Sequence, residues 1–178
     1  ILNNLGVTHH KMSEIYPEEK VGHLNQAAKH YEDALVTARS IHYTKMEGWI
    51  LFNAGEIYAL LGQFEKAEKY SQESRKIFTD EVASDRGISG VEMLNAVISM
   101  QKKDYANALK SINKSIELRE KIGEPRRIAD AVDFRGDICL ASGEKNSAMA
   151  DYDKAYAIYK SIGSETGVKK TEKKMKNP

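Results

Sequence analysis

Four alanines constrain what this chain can fold into. Ala27, Ala67, Ala108 and Ala148 fall at spacings of 40, 41 and 40 residues, inside the segments NQAAKHYEDAL, QFEKAEKYSQES, DYANALKSINKS and KNSAMADYDKAY. Seven residues after each stands another small residue: Ala34, Ser74, Ser115 and Ala155. Twelve residues before the last three stand Gly55, Ala96 and Gly136, and five before two of them Gly62 and Gly143. Ile41, Ile122 and Ile162 follow three of the alanines by fourteen residues. A fixed period of this length marks a stack of supersecondary units. Two antiparallel helices joined by a short turn approach closely only where both side chains are short. Larger residues between them, such as Tyr31, Ile112 and Tyr152, fill the gap to the next pair. One pair leaves an apolar face uncovered, so the pairs stack into a continuous core.

Local signals place the helices. The first (A) helix of each unit is expected near 1–15, 45–61, 85–101 and 126–142, the second (B) helix near 18–42, 64–79, 105–122 and 145–162, and a ninth helix near 165–176. Pro125 suits a first helical turn. Thr44 with Glu47 has capping-box spacing, and Ser164 and Asp104 are N-cap candidates. Gly62, Gly143 and Gly163 suit helix C-termini. Alternating β-branched residues are absent, so no sheet is expected. The first unit is irregular: Gly6 precedes Ala27 by 21 residues rather than 12, and Pro17 is read as opening a longer B helix. The expected fold class is all-α, an α-α superhelix of four helix pairs plus a C-terminal capping helix. Its single domain spans 1–178, with units at about 1–43, 44–83, 84–123 and 124–163 and a terminal segment 164–178.

Composition narrows the function. The chain has 178 residues, 27 Lys and Arg against 26 Asp and Glu, and a formal net charge of +1. Binding nucleic acid by charge requires a clearly basic domain, so no nucleic-acid partner is expected. No apolar run reaches the ~18–20 residues of a membrane helix. The single cysteine, Cys139, allows no intrachain disulfide and fits a reducing compartment, so a cytoplasmic location is expected. The chain begins with Ile1 rather than Met, which reads as an excised or processed piece.

These residues resemble the tetratricopeptide repeat. Gly55, Tyr58, Gly62 and Ala67 match its pattern in unit two, Gly136, Gly143, Ala148, Tyr152 and Ala155 in unit four, and Ala27, Tyr31 and Ala34 in unit one. In unit three Ser99 and Lys103 replace the aromatic and the turn glycine. The usual unit is ~34 residues. The longer spacing is similar to a 40-to-42-residue subclass found in kinesin light chains, cell-polarity adaptors and bacterial peptide-sensing regulators. The resemblance implies a concave groove, lined by the A helices, in which a peptide or partner protein docks.

Offsets −6, −3, +1 and +4 from the small A-helix residue share one side of a 3.6-residue helix. They nominate Asn3, Val7 and His10 in unit one, and Trp49, Phe52, Glu56 and Ala59 in unit two. They give Gly90, Met93, Val97 and Met100 in unit three, and Asp130, Asp133, Asp137 and Leu140 in unit four. The expected partner-binding set is therefore an apolar floor (Trp49, Phe52, Met93, Val97, Met100) with Glu56, and an acidic wall of Asp130, Asp133 and Asp137. Met and aromatics make adaptable contact surfaces. The same side chains at helical period also serve as ordinary packing between repeats. The wall would suit an amphipathic, basic segment. The family's chaperone-tail clamp needs Lys, Arg and Asn where this chain has Phe52, Glu56, Met93, Val97, Asp133 and Asp137, so acidic chaperone tails are not expected ligands.

No enzyme is expected, and no cofactor or metal. His9, His10 and Glu14 supply two metal ligands at best, too few for a zinc site. Cys139 occupies an aromatic slot of the repeat and reads as core. SIGSETG lacks the Lys of a phosphate-binding loop. The two functional readings are a peptide- or protein-binding scaffold and a sensory or regulatory domain of a larger peptide-responsive protein. Oligomeric state is not legible.

Overall fold

The computed structural model describes residues 1–176; positions 177–178 of the expected terminal segment lie outside the described residues. Those described form nine α-helices and no strand: α1 (Leu2–Ile15), α2 (Lys20–Ser40), α3 (Thr44–Leu60), α4 (Phe64–Lys76), α5 (Asp85–Gln101), α6 (Tyr105–Ile122), α7 (Pro125–Ala141), α8 (Lys145–Ser161) and α9 (Glu165–Lys176). Consecutive helices pack as antiparallel pairs, α1 on α2, α3 on α4, α5 on α6 and α7 on α8, and each pair packs on the next. Pro17 opens a short 3₁₀ turn that leads into α2. α4 runs on through a π-helical turn, Ile77–Glu81.

The alanine ladder is the contact between the two helices of a pair. Ala27, Ala67, Ala108 and Ala148 are fully buried. A Cβ at Gly136 would lie 2.6 Å from the Tyr152 ring and 3.2 Å from the Ala148 carbonyl oxygen, so only glycine fits there. Hydroxyls that replace Ala at the second small position find carbonyls of the preceding A helix: Ser74 donates to Gly48 O at 2.9 Å and Ser115 to Ser89 O at 2.8 Å. Both serines are buried, and the bonds satisfy what would otherwise be costly orphan groups.

Caps mostly follow the sequence. Asp104 accepts from Asn107 N and Ser164 from Gly167 N, and Pro125 opens α7. Thr44 does not cap: it is the first helical residue, and Tyr43 precedes α3 without a side-chain cap. Ser84 caps α5, accepting from Gly87 N at 3.1 Å. Gly62, Gly143 and Gly163 take positive φ as expected; at the same turn of unit three Lys103 itself is left-handed, φ 62°, a strained conformation for a residue with a Cβ.

α9 continues the period. A helices begin at Thr44, Asp85, Pro125 and Glu165, so α9 occupies the place of a fifth A helix. Its Gly167 lies under the Tyr159 ring, as Gly87 lies under Phe78. Lys176, however, stands forty residues after Gly136, where the small residue belongs. A long charged side chain there breaks the small-residue pattern of the other A helices.

Overpacking the ladder is the direct test of this register. Ala108→Leu should lower unfolding stability by ~1–3 kcal/mol in urea titration, with helical circular dichroism retained; an unchanged midpoint would put the ladder in the wrong place.

Candidate functional site

The predicted floor is partly open and partly core. Trp49 and Phe52 are half-buried on α3, ring centroids 5.9 Å apart and edge to face, and Trp49 also lies 4.9 Å from buried Phe78. Gly90 of α5 leaves room for both rings. Met93 and Met100 are half-buried on α5. Val97 is not part of an open floor: it is 6% exposed and packed in the core that α3 shares with α5. Its offset faces α3, because here α5 packs directly against that preceding A helix. Phe134, not singled out by the offsets, packs against both of the larger core clusters and links their apolar surfaces.

Glu56, on α3 with the two rings, faces α1. Its carboxylate lies 3.9 Å from His10 Nδ1 and keeps 26% of its side-chain surface. Burial pushes the Glu56 carboxyl up, His10 opposes the shift, and Glu14 adds to it. Asn53 of α3 donates to Asn3 of α1 at 3.3 Å.

The acidic wall is corrected by the structure. Asp133 is fully buried. Its Oδ2 receives Lys174 at 2.7 Å and Lys170 at 3.0 Å. Asp137 receives Lys174 at 2.7 Å and the Tyr152 hydroxyl at 2.8 Å. Asp130 accepts from the Tyr159 hydroxyl at 2.7 Å and has Arg126 at 3.5 Å. Asp133 and Asp137 are the seat of α9, whose lysines neutralise them, while Asp130 is partnered by Arg126 of its own helix and by Tyr159, so the stripe offers no unpaired carboxylate to a basic ligand. Buried carboxylates require such partners.

His9, His10 and Glu14 do not converge. His9 turns to α2, between His23 (Nδ1 to Nδ1, 3.2 Å) and His30 (stacked, centroids 5.4 Å). The spacing of His23 and His30, two turns apart on α2, was the available signal for this ladder. Burial first, then His30 and His23, lower the His9 pKa below the ordinary 6.5. Among the described residues no three His, Cys, Asp or Glu side chains are placed to hold a metal ion. Cys139 is buried and its thiol is pushed up by burial, then by Asp151 and Glu144, opposite to the activation a nucleophile needs.

With this geometry in place, two segments, residues 50–77 and 96–122, match the tetratricopeptide-repeat family model. Those two segments are tetratricopeptide repeats. Solved structures agree on the fold. BtubC (BKLC) from P. vanneervenii superposes with a TM-score of 0.65 at 20% identity, over 92% of this chain and 66% of that one. A signal-transduction ATPase with numerous domains and a tetratricopeptide-repeat sensor, from Pyrococcus horikoshii, gives 0.70 at 21% identity, over 96% of this chain and 25% of that one. Aspartyl phosphate phosphatase F from Bacillus subtilis gives 0.70 at 14% identity, over 89% and 42%. The chain thus spans between a quarter and about two thirds of these proteins. No curated protein matches the sequence significantly.

Two outcomes follow for the tetratricopeptide-repeat stack. Lys174→Met removes the cation shared by Asp133 and Asp137 and should destabilise the chain by ~1–3 kcal/mol in denaturant titration. No loss would mean α9 is not held by this pair. Because the folded-state pKa of His9 lies below its unfolded value, its contribution is complete above pH 6.5 and declines as pH falls through that value toward the lower folded pKa. His9→Gln should therefore flatten the fall in stability between pH 7 and 5; an unchanged slope would remove His9 as its source.

Proposed function

We propose that this chain binds a peptide segment of a partner protein along the concave face of its A helices, through Trp49, Phe52, Met93 and Met100. The observation that carries the reading is the half-buried aromatic and methionine row, which stays accessible while its neighbour Val97 is consumed by the core. Aromatic rings lose little conformational entropy on binding, and methionine adapts to varied ligands. A basic ligand is no longer favoured, since Asp130, Asp133 and Asp137 are already satisfied internally. The role is binding rather than catalysis, and its proposed setting is the cytoplasm; no helix among the described residues is long and apolar enough to cross a membrane.

A second reading has one specific support. The similar solved structures include an ATPase with a tetratricopeptide-repeat sensor, of which this chain spans a quarter. In that reading the same groove reports its ligand to another part of a larger protein.

A peptide-array screen against the chain, repeated with Phe52→Ala, tests the groove. Removal of an aromatic anchor should weaken selected peptides by ~2 kcal/mol or more, whereas Asp137→Asn should leave them unchanged. Peptides that bind Phe52→Ala as tightly as the parent would move the site off this face.

A further inference from the structure

Beside the apolar row lies an open hollow of about 460 Å³ lined by Lys45, Trp49, Ser84, Arg86 and Arg127. Two of its three cations, Lys45 and Arg86, share a repeat position; in the next unit that position is Arg126, outside the hollow, and its neighbour Arg127 lines it. Lys45, Arg86 and Arg126 each stand ten residues before the small A-helix residue of their unit, with Arg127 adjacent. All lie in the first turn of α3, α5 or α7. That is the wrong place for helix stability, because the positive end of the helix dipole disfavours cations there. Three successive units keep them nonetheless.

Their partners inside the chain are too few. Arg86 Nη2 meets Glu124 Oε1 at 2.5 Å, and Arg127 Nε reaches Glu124 Oε2 only at 3.7 Å. Among the described residues Lys45 has no carboxylate within salt-bridge distance, and Arg126 is taken by Asp130. Three cations against one carboxylate leave the hollow with an excess of about two positive charges. Next to Arg127, Arg119 is 4% exposed and donates to the Arg127 carbonyl at 2.7 Å; its Nε has no hydrogen-bond partner, and neither has Glu124 Oε2. Ser84 Oγ accepts from Gly87 N, which leaves its proton free to donate outward.

We propose that this hollow binds a phosphoryl group, borne by a phosphorylated side chain of the peptide that lies on the adjoining apolar row. A phosphoryl group carries about −1.5 to −2 charge and three acceptor oxygens. It matches the excess charge and the donors of Lys45, Arg86, Arg127 and Ser84 better than a singly charged carboxylate does. The overall charge of +1 argues for one discrete group rather than a polyanion. The peptide part of this inference rests on the groove reading; the anion part does not.

Trp49 is the one tryptophan of the chain and lines the hollow, so its fluorescence reports occupancy directly. Titration at constant ionic strength should give a saturable change with sodium phosphate and none with sodium acetate over the same range. Peptide libraries with a fixed central phosphoserine should bind more tightly than their serine counterparts. Lys45→Glu and Arg127→Glu should each weaken the phosphoserine peptides about tenfold or more. Lys45→Ala, an exposed truncation, should weaken them less and serves where charge reversal disturbs folding. Equal affinity for phosphoserine and serine peptides, or for Lys45→Glu and the parent, overturns the proposal. So does tighter binding of a single-stranded oligonucleotide. If serine peptides bind regardless and lose affinity in Phe52→Ala, the groove reading stands and the phosphoryl site falls. If phosphate alone binds and peptides do not, the site takes a free anion and the peptide-borne source is wrong.

Discussion

The whole arrangement depends on one short contact, that of the small A-helix residue with the B-helix alanine of the same unit. At Gly136 the backbone comes so near Tyr152 that a single Cβ would overlap the ring, and it would press tightly on the Ala148 carbonyl. This sets the spacing of the two helices and fixes which faces remain for the next pair. Dense packing of this kind leaves little freedom to relax. The orientation of every A helix relative to its B helix is inherited from it.

α9 shows how the same geometry ends in a polar key. The helix arrives in phase, sets Gly167 under Tyr159, and then presents Lys170 and Lys174 to Asp133 and Asp137. Tyr152 and Tyr159, core residues by their rings, reach the same acidic stripe with their hydroxyls. Burial, then the charge and hydrogen bonds of Asp137 and Asp130 respectively, push both phenols far above their ordinary range, so they stay protonated donors. Apolar packing and charge pairing converge on one interface, where removal of either charge leaves the other stranded.

The helices and their pairing were legible because small residues at fixed offsets leave a plain trace. So were the turn glycines and two of the three N-caps. The acidic stripe was visible as Asp130, Asp133 and Asp137, and the lysines of the last helix were visible too. Their mutual pairing was not, since partners 37 to 41 residues apart meet only once the helix pairs are stacked. Val97 was misplaced for a related reason: helical offsets give a direction from one axis and do not say what stands opposite. Thr44 had cap chemistry one residue inside the helix. The basic hollow escaped notice because its residues come from three units and its signal is an unfavourable placement rather than a motif.

The central claim is that the concave row, rather than another surface, receives the ligand. Methionine methyl resonances test it most directly. The chain has six methionines; Met93 and Met100 lie on the row, while Met149 and Met175 pack beside Cys139 and Tyr152. Addition of an array-selected peptide to methyl-¹³C-methionine protein should shift Met93 and Met100 and leave Met149 and Met175 in place. Shifts confined to Met149 and Met175, with Met93 and Met100 unmoved, would contradict the account.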